Sequence, residues 1–245
     1  MRKRIISFCL TLTALCSFSM FHSIASEQET EFPVSKGEQQ IMIVSGLQQW
    51  RPDKNTGSYT VTDLDGNGRL EIISSSVKNN ITQTRIWEVN NTGDGLTEYV
   101  LPWTEGESQP DIVIQSVPVY YDTAEDIRYF IFEDYITIDE KNTIQNKVVF
   151  SLKNESVTSE VLASCSKVYT NETDYTASYT DAQGNEITEE EYINVADIQF
   201  SDLEKLEANF NWINVQNHPL ESVNLEQVLE LVSEAFARFS VNPVE

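Results

Sequence analysis

The chain has 245 residues, 40% of them apolar, with nine glycines and seven prolines, which is globular composition and not a repeat or low-complexity one. Sixteen Lys and Arg stand against 39 Asp and Glu, a formal net charge of −23. That balance excludes a nucleic-acid binder, which needs basic residues to neutralise phosphates, and disfavours docking on an anionic membrane surface.

Arg2, Lys3 and Arg4 precede an apolar run from Ile5 to Phe21, and Ser23-Ile24-Ala25 closes it with small residues. This order is that of a secretory signal peptide, residues 1–25, and implies a secreted or cell-surface protein. Five Ser or Thr dilute the run, so it reads as a cleaved segment and leaves no membrane span in the mature chain. Cleavage after Ala25 leaves 220 residues with a net charge of −26, one histidine (His218) and one cysteine (Cys165). One cysteine cannot form an internal disulfide, and these counts exclude a zinc site built from His and Cys.

Residues 26–36 are polar and acidic and read as a flexible leader. The rest, 37–245, reads as a single α+β domain. Ile41, Val44, Leu47 and Trp50 at helical spacing predict an N-terminal helix over 38–50. From Ser58 the period changes to two. Strands are expected on both sides of residues 63–71, then at 83–90, 96–101, 112–121, 128–138, 145–152 and 157–166. Short polar turns separate them, which implies antiparallel pairing.

The last third predicts helices. Thr188 with Glu191, Ser201 with Glu204 and Asn224 with Gln227 have the spacing of capping boxes. Leu225, Val228, Leu229, Val232, Ala235, Phe236 and Phe239 form one apolar stripe.

One segment carries chemistry: Asp63-Leu-Asp-Gly-Asn-Gly-Arg-Leu-Glu71. Asp63, Asp65 and Asn67 alternate, Gly68 allows the chain to reverse, the Arg69 carbonyl comes next and Glu71 closes the set. Oxygen donors at this spacing suit a hard cation, above all Ca2+, which takes six to eight oxygens. Crowded carboxylates repel one another, and a divalent ion removes that cost. A helix-flanked calcium hand needs Glu at the twelfth position, which here is Ser74. Alternating and β-branched residues flank the loop, so it reads as strand–loop–strand. A plain Asp-Gly-Asn-Gly turn is the simpler alternative, but it needs neither Asp63 nor Glu71.

The stretch from Tyr59 to Ile72 resembles the calcium loops of the FG-GAP and VCBS repeats. It is especially similar to a single-copy version in uncharacterised secreted proteins of Gram-positive bacteria. The segment Tyr179–Tyr192 also resembles a hairpin tip leading into a helix in those proteins. The resemblance implies a calcium ion at Asp63, Asp65, Asn67, Arg69 and Glu71. It also implies an antiparallel, partly propeller-blade-like sheet, open because the chain has one loop and not several.

Other candidates have simpler structural readings. Glu133, Asp134, Asp139 and Glu140 lie near strand ends with no spacing that predicts a shared cleft. Cys165 in a strand-like run reads as a small buried apolar residue, and nothing links it to His218. The four tryptophans read mainly as core, with Trp103 the best candidate for exposure. The leading expectation is an exported, non-catalytic calcium-binding module that adheres to an extracellular protein or glycan. The alternatives are an extracellular carbohydrate-active hydrolase using a carboxylate pair, and a structural envelope protein with no ligand.

Overall fold

Side chains alternate across a strand, so a strand buried on both faces must find a different partner on each. Here that requirement produces four layers. The computed structural model describes residues 32–78, 81–103, 109–171, 173–221 and 224–244. The expected signal peptide and most of the leader lie outside the described residues.

The elements run α1 (Lys36–Ser45), α2 (Leu47–Trp50), β1 (Gly57–Thr62), β2 (Glu71–Lys78), β3 (Ile81–Val89), β4 (Leu96–Glu98), β5 (Ser116–Asp122), β6 (Ile127–Thr137), β7 (Asn142–Lys153), β8 (Ser156–Tyr169), β9 (Tyr175–Asp181), β10 (Glu186–Ile187), α3 (Glu189–Ile193), α4 (Val195–Gln199), β11 (Glu204–Asn209), β12 (Ile213–Asn214), α5 (Leu225–Ala237) and β13 (Ser240–Pro243). One sheet has the order β12-β1-β2-β3-β4 and the other β10-β9-β8-β7-β6-β5-β11-β13. Neighbouring strands pair antiparallel throughout. The class is α+β, with helices at both ends, as the periodicity indicated. Strands β1–β4 form an up-and-down meander, the connectivity of a propeller blade. The eight-stranded sheet packed behind it is the larger part of the fold.

The outer face of the five-stranded sheet presents Tyr59, Val61, Ile72 and Val89 to Ile43, Leu47 and Trp50 of α1 and α2 and to Val228 and Val232 of α5. Its inner face presents Ile73 and Ile86 to Val119, Phe130, Phe132, Phe150 and Leu206 of the eight-stranded sheet. The far side of that second sheet is covered by α3 and α4, through Tyr192 against Cys165 and Ala196 against Ile131 and Val149. Each fully buried Phe, Ile or Leu contributes about 1.5–3 kcal/mol by leaving water.

Four sequence readings are corrected. Phe32–Lys36, expected as the end of the leader, belong to the folded unit Phe32–Glu245, and Lys36 opens α1 behind a Ser35–Glu38 capping box. On α1 the buried face runs through Gln39, Ile43 and Val44, and Ile41 is exposed. The expected strand over 112–121 starts at Ser116. Ser201 caps no helix, because Glu204 starts β11, whose ladder with β5 and burial of Leu206 and Ala208 outweigh a local cap worth about 1 kcal/mol.

The Thr188 and Asn224 boxes form as expected, with both reciprocal hydrogen bonds present. Thr188→Ala should therefore cost about 1 kcal/mol in urea unfolding, whereas Ser201→Ala should change stability by less than about 0.5 kcal/mol. Equal costs at the two positions would contradict this assignment of caps.

Candidate metal centre

Strands β1 and β2 stay in register up to the pair Thr62↔Glu71, so residues 63–70 form an eight-residue connection and not a two-residue turn. Gly68 has φ +83°, a left-handed conformation that β-carbon-bearing residues rarely adopt. This turn lets the Gly68 N–H reach Asp63 Oδ1 at 3.2 Å. Gly66, at φ +74°, lies under the Arg128 guanidinium, and a β-carbon there would come within 2.6 Å of it. Arg128, from β6, donates through Nη1 to the Leu64 carbonyl at 3.0 Å. The second sheet thus clamps the loop of the first.

Three of the expected ligands come together. Asp63, Asp65 and Glu71 each offer one carboxylate oxygen, and the three lie within 4.8 Å of one another. Oxygens on opposite sides of a calcium ion, each 2.3–2.6 Å from it, are about 5 Å apart, so this spacing fits. Glu71 is fully buried. Its Oε2 accepts from Thr62 Oγ1 and the Leu64 N–H, both at 2.9 Å. Its Oε1 is buried with no hydrogen-bond partner among the described residues. An orphaned buried carboxylate oxygen is costly, and a bound cation is one way to satisfy it. All the donors are oxygens, as a hard divalent cation requires.

One expected ligand, Asn67, does other work. Asn67 turns its oxygen to the Arg69 N–H at 2.7 Å. Its Nδ2 donates to Asp65 Oδ2 at 2.9 Å and to Glu88 Oε1 at 2.7 Å. In this arrangement Asn67 braces two carboxylates. The Arg69 side chain pairs with Glu88, Nη2 to Oε2 at 2.7 Å.

Glu88 was missed in the sequence. It is the cross-strand partner of Glu71 and is itself fully buried. The signal was present: Thr82, Thr84, Ile86 and Glu88 share the inward period of β3, so an acid falls on a core face. Lys36 was also missed. Its Nζ lies 2.8 Å from Asp63 Oδ2 and 2.8 Å from the Gly68 carbonyl. Gln39 of α1, buried, accepts from the Leu70 N–H at 2.8 Å and donates to the Gly68 carbonyl at 3.0 Å.

The electrostatics follow from burial. Glu71 is pushed well above the ordinary carboxylate range, first by burial and then by the charges of Asp65, Asp63 and Glu88. Asp65 is raised by burial and by Asp63, against the Asn67 N–H bond that favours its charged form. Glu88 is pushed up to about 7 by burial, which outweighs the Asn67 hydrogen bond and the Arg69 charge. Burial and the same carboxylates hold the Tyr99 hydroxyl firmly protonated.

The other candidates are occupied elsewhere. Glu133 is held by Lys147 and by the Tyr135 hydroxyl. Asp139 caps its own turn through the Lys141 and Asn142 N–H groups. Trp103 is partly buried, stacked on Phe150 with ring centroids 6.1 Å apart. Cys165 is buried beneath Tyr192 of α3. Compared with protein-family models, curated proteins and solved structures, the chain matches none.

A carboxyl whose folded pKa is raised stabilises the fold fully below its ordinary value and loses that contribution as pH rises through the folded value. For Glu88 the window runs from 4.5 to about 7. With a chelator present, the wild-type protein should lose about 2 kcal/mol more than Glu88→Gln between pH 5.5 and pH 8. Urea unfolding at the two pH values measures this, and parallel pH slopes would contradict it.

Proposed function

We propose that this protein is an exported, non-catalytic binding or adhesion module whose fold is stabilised by one calcium ion in the β1–β2 loop. The observation that carries the calcium reading is the Glu71 Oε1 atom, buried without a partner among the described residues and beside two further carboxylates. Asp63, Asp65 and Glu71 would hold the ion, with water, the Arg69 carbonyl or a reoriented Asn67 completing the shell. The ion would neutralise charges that burial otherwise forces toward protonation. Its role there is structural: it ties β1, β2 and the loop together between the two sheets.

The rest of the reading is supported by the sequence. The signal-peptide order of residues 1–25 supports export into a medium that contains calcium. The resemblance of the loop to FG-GAP and VCBS calcium loops supports a binding or adhesion role. Extracellular modules of this kind bind calcium weakly, with Kd on the order of 0.1–1 mM.

At 10 mM calcium such a Kd corresponds to about 1.5–3 kcal/mol of added stability, a rise of roughly 3–10 °C in melting temperature. Calorimetric melts in calcium and in chelator test this. Glu71→Gln should abolish the calcium response and leave the chelated protein at least as stable as wild type, since burial already opposes ionisation of the carboxyl it replaces. Equal melting temperatures of the wild type in calcium and chelator, or a full calcium response in Glu71→Gln, would contradict the proposal.

A further inference from the structure

A cation of the protein's own already lies against this loop. Lys36, the first residue of α1, places its ammonium 2.8 Å from Asp63 Oδ2 and 2.8 Å from the Gly68 carbonyl. The other oxygen of Asp63 accepts the Gly68 N–H at 3.2 Å. Both oxygens of Asp63 are therefore engaged, in contrast to Glu71, whose Oε1 is free of partners among the described residues. A divalent ion ligated by Asp63 needs an oxygen that Lys36 now holds, or must share one with a backbone N–H.

The placement of Lys36 is fixed by its helix. The Ser35–Glu38 capping box sets the start of α1, and Gln39 locks the same turn to the loop through Gly68 and Leu70. The ammonium has a second seat, because the Phe236 ring of α5 lies 5.4 Å from Nζ, within cation–π range. The Lys36 side chain is 39% exposed, so its path to water is open.

We propose that Lys36 sets the affinity and selectivity of the calcium site: its ammonium is the resident cation that an entering divalent ion displaces from Asp63 toward Phe236 and solvent. This rests on the calcium reading above. A monovalent ion brings no more charge than the ammonium it must replace, so it gains nothing by entry. A divalent ion brings twice the charge to a cluster of three carboxylates and prevails, at an affinity lowered by the displacement. Without calcium, the ammonium limits repulsion within the loop.

The test uses the full chain and calcium chloride as the probe. Isothermal titration of the wild type, Lys36→Gln and Lys36→Arg should give about tenfold tighter binding in Lys36→Gln and near-wild-type binding in Lys36→Arg. Acetylation by an amine-reactive ester, read at Lys36 by mass spectrometry, should rise several-fold at saturating calcium and stay at its calcium-free level in sodium chloride of equal ionic strength. The inference is overturned if Lys36→Gln binds calcium no more tightly than wild type. It is also overturned if calcium binds and Lys36 labelling is unchanged or falls. Absence of binding heat in all three proteins would overturn the calcium reading itself, and this inference with it.

Discussion

A carboxylate buried between two sheets, with one oxygen unsatisfied among the described residues, is the constraint on which the arrangement of the β1–β2 loop depends. Glu71 lies two residues before Ile73 and so shares its face, turned toward the eight-stranded sheet. Thr62 and the Leu64 N–H satisfy one oxygen, and the other has no partner among the described residues. The neighbours intensify the problem: Glu88 faces it across the ladder, and Asp63 and Asp65 close in from the loop. Each of these charges raises the free energy of ionising Glu71. A divalent cation in the loop would relieve Asp63, Asp65 and Glu71 together, as the Arg69 guanidinium does for Glu88.

The surroundings of the loop are organised as a clamp. Arg128 reaches from the second sheet to the Leu64 carbonyl, Arg69 pairs with Glu88, and Lys36 and Gln39 reach in from α1. Three elements that are remote in sequence thus meet over eight loop residues. Of the thirteen basic residues after residue 25, three are spent here, in a chain with 39 acidic ones. The bound ion would then act on more than the hairpin, since the loop touches α1, β3 and β6.

Much of this was legible in the sequence where local rules govern. The period-two strands, the Val228-to-Phe236 part of the α5 stripe, the Thr188 and Asn224 caps and the spacing of Asp63, Asp65 and Glu71 depend on neighbours a few residues apart, whereas Leu225 is exposed and Phe239 packs beyond the helix. What the sequence hid depends on long-range pairing. The Glu71↔Glu88 register, Arg128 over Gly66 and Lys36 on Asp63 join residues 17, 62 and 27 positions apart. Ser201 shows the conflict directly: its local cap signal lost to a ladder formed with β5, more than 80 residues earlier. Asn67 shows a subtler limit. Its spacing placed it near the acids, but the Arg69 N–H decides which end of its amide faces them.

The most direct measurement is a crystal structure of the protein grown in calcium, with anomalous scattering used to locate the ion. One ion 2.3–2.6 Å from oxygens of Asp63, Asp65 and Glu71, with Glu71 Oε1 among its ligands, is the predicted result. An unoccupied loop with Glu71 Oε1 still unpaired, or calcium bound only at exposed acids elsewhere, would contradict the account.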